Sequence, residues 1–301
     1  MVLALRSGID SEIAWALTRM CRLSKDEKFI LPLIPGLTDA LFEWPDWYVG
    51  SGAAECIHRG KLFALPKDLQ DRRRYALESV FILRNASLFE ENSAELATHP
   101  RARALILLAL HGLDPAVDSN AEFLLYVIEM LQSISVTLIL PPPNSPLLAN
   151  PVPPLQLIAE ESCNRALIIA SLSTLSLFLA NPPNYGHLDP SSLALNAAVR
   201  YLALFASDRE LAETCLNYLY THLAHPIMAK QFLLHPEISA VLRLLTLILK
   251  SEQVEQDVTI PIGGPVHTAP VVQRTAKYRE LGATESEKLM ATPEPERCLE
   301  W

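Results

Sequence analysis

The sequence predicts an all-α protein whose helices stack as an irregular helical-repeat solenoid, and three observations predict this fold class. Apolar residues recur at three- and four-residue spacing over most of the chain, which is the period of an amphipathic helix. Of the 301 residues, 50% are hydrophobic and 20% are charged, so the chain can build a large core. One set of helices also has a similar counterpart later in the chain.

Apolar spacing and capping residues predict the helices of the first half. Ser11 is a suitable N-cap for the first helix, and Pro100 divides one helical stretch into two pieces. Residues 24–66 are rich in proline, glycine and aromatic residues, which predicts a loop-rich segment with one short helix. The predicted helices are Ser11–Leu23, Leu37–Glu43, Asp68–Phe89, Ser93–His111 and Asn120–Leu140.

The second half begins with a proline-rich connector, residues 141–154, which is predicted not to be helical. Asp189 and Asp208 are predicted N-caps, and Pro190 suits the first position of its helix. The predicted helices are Leu155–Leu179, Asp189–Ala206, Asp208–Leu223, Pro226–Leu234 and Pro236–Lys250. The predicted organisation is a helical-repeat domain over 1–250, a linker over 251–285 and a further segment over 286–301.

Two His-Pro pairs anchor the internal similarity. When His99-Pro100 is placed over His235-Pro236, a helix, a short helix and an apolar helix follow one another in the same order in both copies. The alignment places Leu83 on Leu219, Leu96 on Phe232 and Leu108 on Leu244. We therefore expect the matched leucines to be buried and each His-Pro pair to mark the start of a helix.

Net charge and cysteine content limit the function classes. The formal net charge is −9 and the pI is about 5.4, whereas binding of duplex DNA needs clustered Lys and Arg. The five cysteines show no C-x-x-C pairing, which favours reduced thiols over disulfides or a zinc site. No signal peptide is expected, and the most apolar helices are too short or too interrupted by serine to span a bilayer.

The first candidate binding site, Arg84 and Asn85, lies at the end of an apolar stripe. Leu77, Val80, Phe81, Leu83 and Leu88 are predicted to share one buried face. This pattern is typical of the last helix of an armadillo-type repeat, which buries its face only by stacking on neighbours. An asparagine amide carries a donor and an acceptor and so suits the backbone of an extended peptide. The alternative is that Asn85 braces a neighbouring turn.

Trp44, Trp47 and Tyr48 form a second candidate surface, within the segment predicted to be rich in loops. Tryptophan and tyrosine are frequent in the residues that dominate binding energy at interfaces. The alternative is that these rings cover the open end of the solenoid, where a cap is needed.

Arg72, Arg73 and Arg74 form the main basic concentration. Clustered arginines suit nucleic acid or an acidic protein surface. Acidic residues are interleaved with them, which is also the pattern of an ordinary solvated helix face.

Catalysis and cofactors find no support in the sequence. His222, His225 and His235 lack a fourth ligand and the helical spacing of a zinc site, so no metal is expected. No glycine-rich phosphate loop, nucleophile elbow or catalytic histidine arrangement occurs, so no cofactor or enzymatic activity is expected. A helical hydrolase with a dispersed site remains as the enzyme alternative.

Three segments carry a family resemblance. They are LRSGIDSEIAWAL at 5–17, FILRNASLFEEN at 81–92 and TPEPERCLEW at 292–301. The first two resemble the opening and the repeat of the helical region in large accessory subunits of SWI/SNF-type chromatin remodellers, and the third resembles the lead-in to an RFX-type winged helix. Together they resemble the armadillo-like, ARID/RFX-type accessory subunits of the fungal RSC complex and their animal counterparts. The sequence departs from the family pattern at Ala86, where leucine is usual.

The resemblance implies a non-catalytic scaffold subunit of an RSC/SWI/SNF-type remodelling complex in the nucleus. It implies protein partners, including the region of the ATPase N-terminal to its motor or neighbouring core subunits, and weak or no DNA binding by these 301 residues. Residues 286–301 would then be the lead-in to a winged-helix domain. The residues alone also leave open a peptide-binding armadillo adaptor of transport or signalling, which would need many near-identical repeats of about forty residues.

Overall fold

The computed structural model describes residues 1–60, 64–142, 145–146, 149–188 and 191–259. Helices supply the regular structure of this part of the chain and no strand occurs in it, so the predicted all-α class is confirmed. The helices are α1 (Val2–Leu5), α2 (Asp10–Leu23), α3 (Leu37–Trp47), α4 (Ala53–Gly60), α5 (Lys67–Ala86), α6 (Glu90–Thr98), α7 (Pro100–Gly112), α8 (Asp118–Ile134), α9 (Val152–Glu161), α10 (Arg165–Ala180), α11 (Leu193–Leu202), α12 (Arg209–Ala224), α13 (Pro226–Leu233) and α14 (Ile238–Thr259).

The chain divides into two compact units, Met1–Asp189 and Pro190–Trp301, whereas the sequence predicted one domain over 1–250. In the first unit the helices pack in two layers. Helices α2, α5, α8 and α10 contact one another in chain order, and so do α1, α3, α7 and α9. The layers are joined by the pairs α1–α2, α3–α5, α7–α8 and α9–α10. Helix α5 lies at the centre because it packs on α2, α3 and α8.

Most of the second half of α5 is buried, so its apolar side chains do not form a single stripe. Val80 and Leu83 are fully buried as predicted, and Ile82 is also fully buried although it was not assigned to that face. Leu88 was predicted to be buried but is 60% exposed, because α5 ends at Ala86 and the helical period does not continue. A helix with neighbours on three sides buries residues all around, which hides its amphipathic pattern.

The second unit packs α12 against both α11 and α13, and α14 against α11. Leu83 is fully buried and Leu219 is 3% exposed, so the predicted burial of this matched pair is confirmed. The pair Leu108 and Leu244 does not match in burial, because Leu108 is 55% exposed and Leu244 is 4% exposed. Pro100 is the first residue of α7, but Pro236 precedes the first residue of α14 by two positions. The helix order therefore repeats as predicted, while the residue alignment fails in the third helix.

The predicted loop-rich segment 24–66 is largely helical from Leu37 onward, which corrects the sequence prediction. Pro45 lies inside α3, and a π-helical turn, Tyr48–Gly52, leads directly into α4. Proline and glycine were read as helix breakers, but packing against α5 and α7 holds this segment helical. The side chain of Arg101 on α7 bonds Asp46 on α3, with Nη2 and Oδ2 2.7 Å apart.

Other helix boundaries also differ from the predictions. The stretch 155–179 forms two helices, because the side chain of Asn164 accepts hydrogen bonds from the backbone N–H groups of Ala166 and Leu167 and starts α10. Helix α9 begins at Val152, inside the predicted connector, and α8 ends at Ile134 and not at Leu140. Helix α14 continues to Thr259, beyond the predicted start of the linker. The predicted cap at residues 189–190 and the segments 260–285 and 286–301 lie outside the described residues.

Two buried asparagines hold two similar segments that follow α-helices, a relation that the sequence analysis missed. The segments are Phe29-Ile-Leu-Pro32, after α2, and Leu138-Ile-Leu-Pro141, after α8. Asn92 donates to the carbonyl of the first residue and accepts from the N–H of the third, both at 2.7 Å. Asn184 makes the same pair of bonds at 3.4 and 2.9 Å. The Ile-Leu-Pro sequence that both segments share was the available sequence signal for this relation.

Truncation of the buried Leu83 directly tests the described packing of α5. We expect Leu83→Ala to lower the free energy of unfolding by about 2–5 kcal/mol, because a fully buried leucine leaves a cavity when truncated. Leu88→Ala is the control, since that side chain is mostly exposed and should change stability by no more than about 0.5 kcal/mol. Urea denaturation of the two variants and the parent chain measures the difference. Equal losses in both variants would contradict the described packing of α5.

Candidate functional site

Arg84 and Asn85 lie near the end of α5 and join three helices. The guanidinium of Arg84 bonds Glu129 on α8 at 2.7 Å and also donates to the Asn85 side-chain oxygen at 3.0 Å. The Asn85 amide nitrogen donates to the hydroxyl of Ser24, the C-cap of α2, at 3.2 Å. Asn85 is only 5% exposed. This geometry matches the bracing alternative, and a peptide-binding role for Asn85 stays a prediction that would require these bonds to break.

Tyr48 belongs to the core and does not lie on an open surface. It is 1% exposed, its hydroxyl donates to the Asn120 side-chain oxygen at 2.8 Å, and its ring lies 4.8 Å from that of Phe123. Burial is the main cause that raises the pKa of Tyr48 above its ordinary value. The side chain therefore fixes the π-helical turn against α8.

Trp44 and Trp47, by contrast, are half-buried on the outside of the same segment. Their rings meet edge-on with centroids 6.4 Å apart, and the Trp44 ring lies 5.4 Å from that of Tyr75 on α5. Trp47 covers the backbone of Gly52, where an added Cβ would lie 2.8 Å from the ring. The close approach therefore requires glycine, and it fixes the position of Trp47.

The basic cluster lies beside these rings. The guanidinium carbon of Arg74 is 5.3 Å from the centre of the Tyr75 ring, and Arg74 also pairs with Asp71 at 3.0 Å. No ion pair with Arg72 or Arg73 is formed in the described part of the chain. Tyr75 thus connects two groups that the sequence analysis treated separately. We call Trp44, Trp47, Arg73 and Arg74 the aromatic–arginine surface.

Tyr75 is the residue of this region that the sequence analysis missed. It is 1% exposed, and its hydroxyl donates to the backbone carbonyl of Asp10 at the start of α2, 3.2 Å away. Its position directly after Arg74 was the available signal, because a buried aromatic residue often carries a cation on its face.

The three histidines of the second unit do not converge. His235 accepts from the backbone N–H of Glu237 at 3.2 Å, and its Nε2 lies 3.1 Å from the side-chain oxygen of Asn196. His222 is 1% exposed, and its ring lies 5.6 Å from that of the buried Tyr218. Among the described residues, no group of three or more His, Cys, Asp or Glu side chains could hold a metal ion.

Thiol chemistry is suppressed at two of the cysteines. Burial raises the pKa of Cys21 to about 11 and that of Cys215 to about 12. Both therefore stay protonated near neutral pH, and a protonated thiol is a poor nucleophile. Cys56 also carries a reduced thiol, and Cys298 lies outside the described residues. None of the helices in the described ranges has the length and apolar character needed to cross a membrane.

The fold and these surfaces define an all-α protein whose first unit has helices in two layers and carries half-buried aromatic rings and arginines. No family model matches the chain. The chain is 24% identical, over 309 aligned positions, to the chromatin structure-remodeling complex subunit rsc9 of Schizosaccharomyces pombe. The similarity covers the whole of this chain and 37% of the length of that protein.

Burial of His222 predicts that stability falls in mild acid. Burial is the largest of the causes that lower the pKa of His222 to about 4, with a contribution from His225, and the Met228 backbone opposes the shift. In the unfolded chain His222 binds a proton as the pH falls below about 6.5, whereas in the folded chain it binds one only near pH 4. The free energy of unfolding is therefore unaffected by this histidine above about pH 6.5, and it falls as the pH is lowered toward 4. We expect protonation of His222 to lower the free energy of unfolding by about 2 kcal/mol between pH 7 and pH 5.

Urea denaturation at pH 7 and pH 5 measures this loss. His222→Phe should reduce the difference between the two pH values, whereas His58→Gln, at an exposed histidine, should not change it. An unchanged pH dependence in His222→Phe would show that other groups cause it.

Proposed function

We propose that this chain is a non-catalytic scaffold region in a subunit of an RSC/SWI/SNF-type chromatin remodelling complex. The observation that carries the proposal is the similarity to rsc9, because it extends over the entire chain. The sequence motifs at 5–17 and 81–92, which lie within that similarity, resemble the same family. Nuclear localisation and protein partners within such a complex follow from this proposal.

The packing of the first unit supports a helical-repeat architecture for this scaffold. Two layers whose helices contact one another in chain order are what stacked helix pairs produce, since each pair buries its apolar face only against its neighbours. The matching asparagine bonds of Asn92 and Asn184 add a second repeated feature. We infer an irregular armadillo-like solenoid and not a closed bundle.

The aromatic–arginine surface is our proposed contact for a partner. Tryptophan and arginine are over-represented among residues that dominate interface energies. Here the Trp44 ring and the Arg74 guanidinium both lie near the Tyr75 ring. Arg73 forms no ion pair in the described structure, so a partner carboxylate could bind it without displacing an internal partner. We therefore expect an acidic segment with apolar side chains, from the ATPase N-terminal region or a neighbouring core subunit.

A transport or signalling adaptor receives less support. Such an adaptor would present its groove asparagine to an extended peptide, whereas the Asn85 amide donates to Ser24 and accepts from Arg84.

Trp47 provides the test of the proposed partner surface. We expect Trp47→Ala to weaken co-purification of the remodelling subunits from nuclear extract, by roughly thirtyfold in affinity if it costs about 2 kcal/mol. Trp15→Ala is the matched control, because Trp15 is a 55% exposed tryptophan on α2. Quantitative mass spectrometry of the purified complexes measures both variants. Recovery of every subunit at the parent level with Trp47→Ala would place the partner surface elsewhere, and absence of remodelling subunits from the parent sample would contradict the proposed function.

DNA binding should be weak in this chain. The net charge of −9 opposes a duplex, and Arg74 is already paired with Asp71. We expect no tight binding near physiological salt in a fluorescence anisotropy titration with duplex DNA, and no change in the triple variant Arg72→Glu, Arg73→Glu, Arg74→Glu. Tight binding that this variant abolishes would make the basic cluster a nucleic-acid site.

A further inference from the structure

The segment Leu138-Ile-Leu-Pro141, which follows α8, has one bonded edge and one open edge. Asn184 bonds the carbonyl of Leu138 and the N–H of Leu140. In an extended chain the N–H and C=O of the residue between them point the opposite way. No described donor or acceptor bonds the N–H or C=O of Ile139, and its side chain is 58% exposed.

The matching segment after α2 differs at this point. There Asn92 holds Phe29 and Leu31, but the N–H of the middle residue, Ile30, donates to Lys28 and its carbonyl accepts from Leu33. An open edge is therefore not a requirement of the asparagine motif. Of the two segments, only the one after α8 has an open edge.

An apolar cleft lies along the segment that has the open edge. The cleft is shallow, because the space that it encloses is about 10 Å³, room for one water molecule. The walls come from the segment itself and from α6, α7 and α8, chiefly Ala97, Ile106, Leu107, Leu131, Leu138 and Ile139. Arg103 is the only charged residue of the lining; it is exposed and forms no ion pair with a described residue.

We propose that this cleft binds a short extended segment of a partner protein that carries an apolar side chain close to a carboxylate. The backbone of that segment pairs with the N–H and C=O of Ile139, its apolar side chain packs on the apolar lining of the shallow cleft, and its carboxylate binds Arg103. The N–H and C=O of Ile139 can both be hydrogen-bonded by one residue of another extended backbone. Strand addition recognises peptides in this way. A helix cannot do this, because its own backbone groups are already bonded.

The charge of Arg103 selects the acidic residue of the ligand. A guanidinium bonds a carboxylate in a bidentate manner, which adds direction as well as attraction. This inference goes beyond the proposed function and does not depend on membership of a remodelling complex, because it uses only the contacts around residues 138–141.

Selection from a phage-displayed library of linear peptides on the immobilised full chain tests the proposal. We expect enriched peptides to carry an acidic residue within a few positions of an apolar residue. Selection on the Arg103→Glu variant should exchange the acidic preference for a basic one, since the change reverses the only charge in the lining. Arg103 is exposed, so this variant should keep the circular dichroism spectrum and the melting temperature of the parent.

The backbone contact is tested with a pair of variants at Ile139. Ile139→Pro removes the open N–H but leaves both Asn184 bonds, and we expect at least a tenfold loss in affinity for the enriched peptides. Ile139→Val keeps the N–H and should bind like the parent. Failure to enrich any peptide, or peptides that bind the Arg103→Glu and parent chains equally, would overturn the proposal. Equal binding by Ile139→Pro and Ile139→Val would overturn the strand-addition geometry.

Discussion

Buried backbone between the helices is the constraint on which the first unit depends. After α2 and α8, the carbonyls of Phe29 and Leu138 and the N–H groups of Leu31 and Leu140 lie in buried or partly buried positions. These groups need hydrogen-bond partners there. Asn92 and Asn184, both fully buried, supply these partners from helical segments more than forty residues further along the chain. The bonds therefore fix where each of the two segments lies. A leucine or alanine in either position would leave two buried backbone groups unbonded, each costing about 1–3 kcal/mol.

The sequence predicted helices well where apolar spacing acts alone and poorly where tertiary contacts decide. Val80 and Leu83 were correctly placed in the core, and the all-α class was right. The prediction for the segment around Pro45 was wrong, because local propensity favours a loop there whereas packing against α5 and α7 keeps the segment helical. The similarity between residues 29–32 and 138–141 was present in the sequence. Its meaning was hidden, because the contacts of Asn92 and Asn184 are made to backbone atoms that every residue possesses.

For the candidate site, residue types were predictable and side-chain directions were not. Trp47 is partly exposed, but Tyr48, its immediate neighbour, is fixed in the core by Asn120. Asn85 has the chemistry to hold a peptide and is instead occupied by Ser24 and Arg84. A rotation of about 100° per residue separates an outward from an inward side chain on a helix. Small errors in helix boundaries, and neighbours on three sides of α5, therefore change the environment of each predicted residue.

The net charge of this chain and its proposed binding arginines act on an acidic partner in opposite directions. The net charge of −9 repels such a partner at long range, whereas Arg73 and Arg103 attract it only at contact. At physiological ionic strength the Debye length is about 8 Å, so distant charges are largely screened while a contacting pair is screened much less. Long-range steering therefore contributes little to association, and affinity must come from apolar burial beside each arginine. Both surfaces contain apolar side chains, namely Trp44 and Trp47 in the aromatic–arginine surface and Leu131 and Leu138 in the cleft that Arg103 also lines. Selectivity then comes from the pairing, because a partner that is only acidic gains too little and a partner that is only apolar leaves the arginine without a carboxylate.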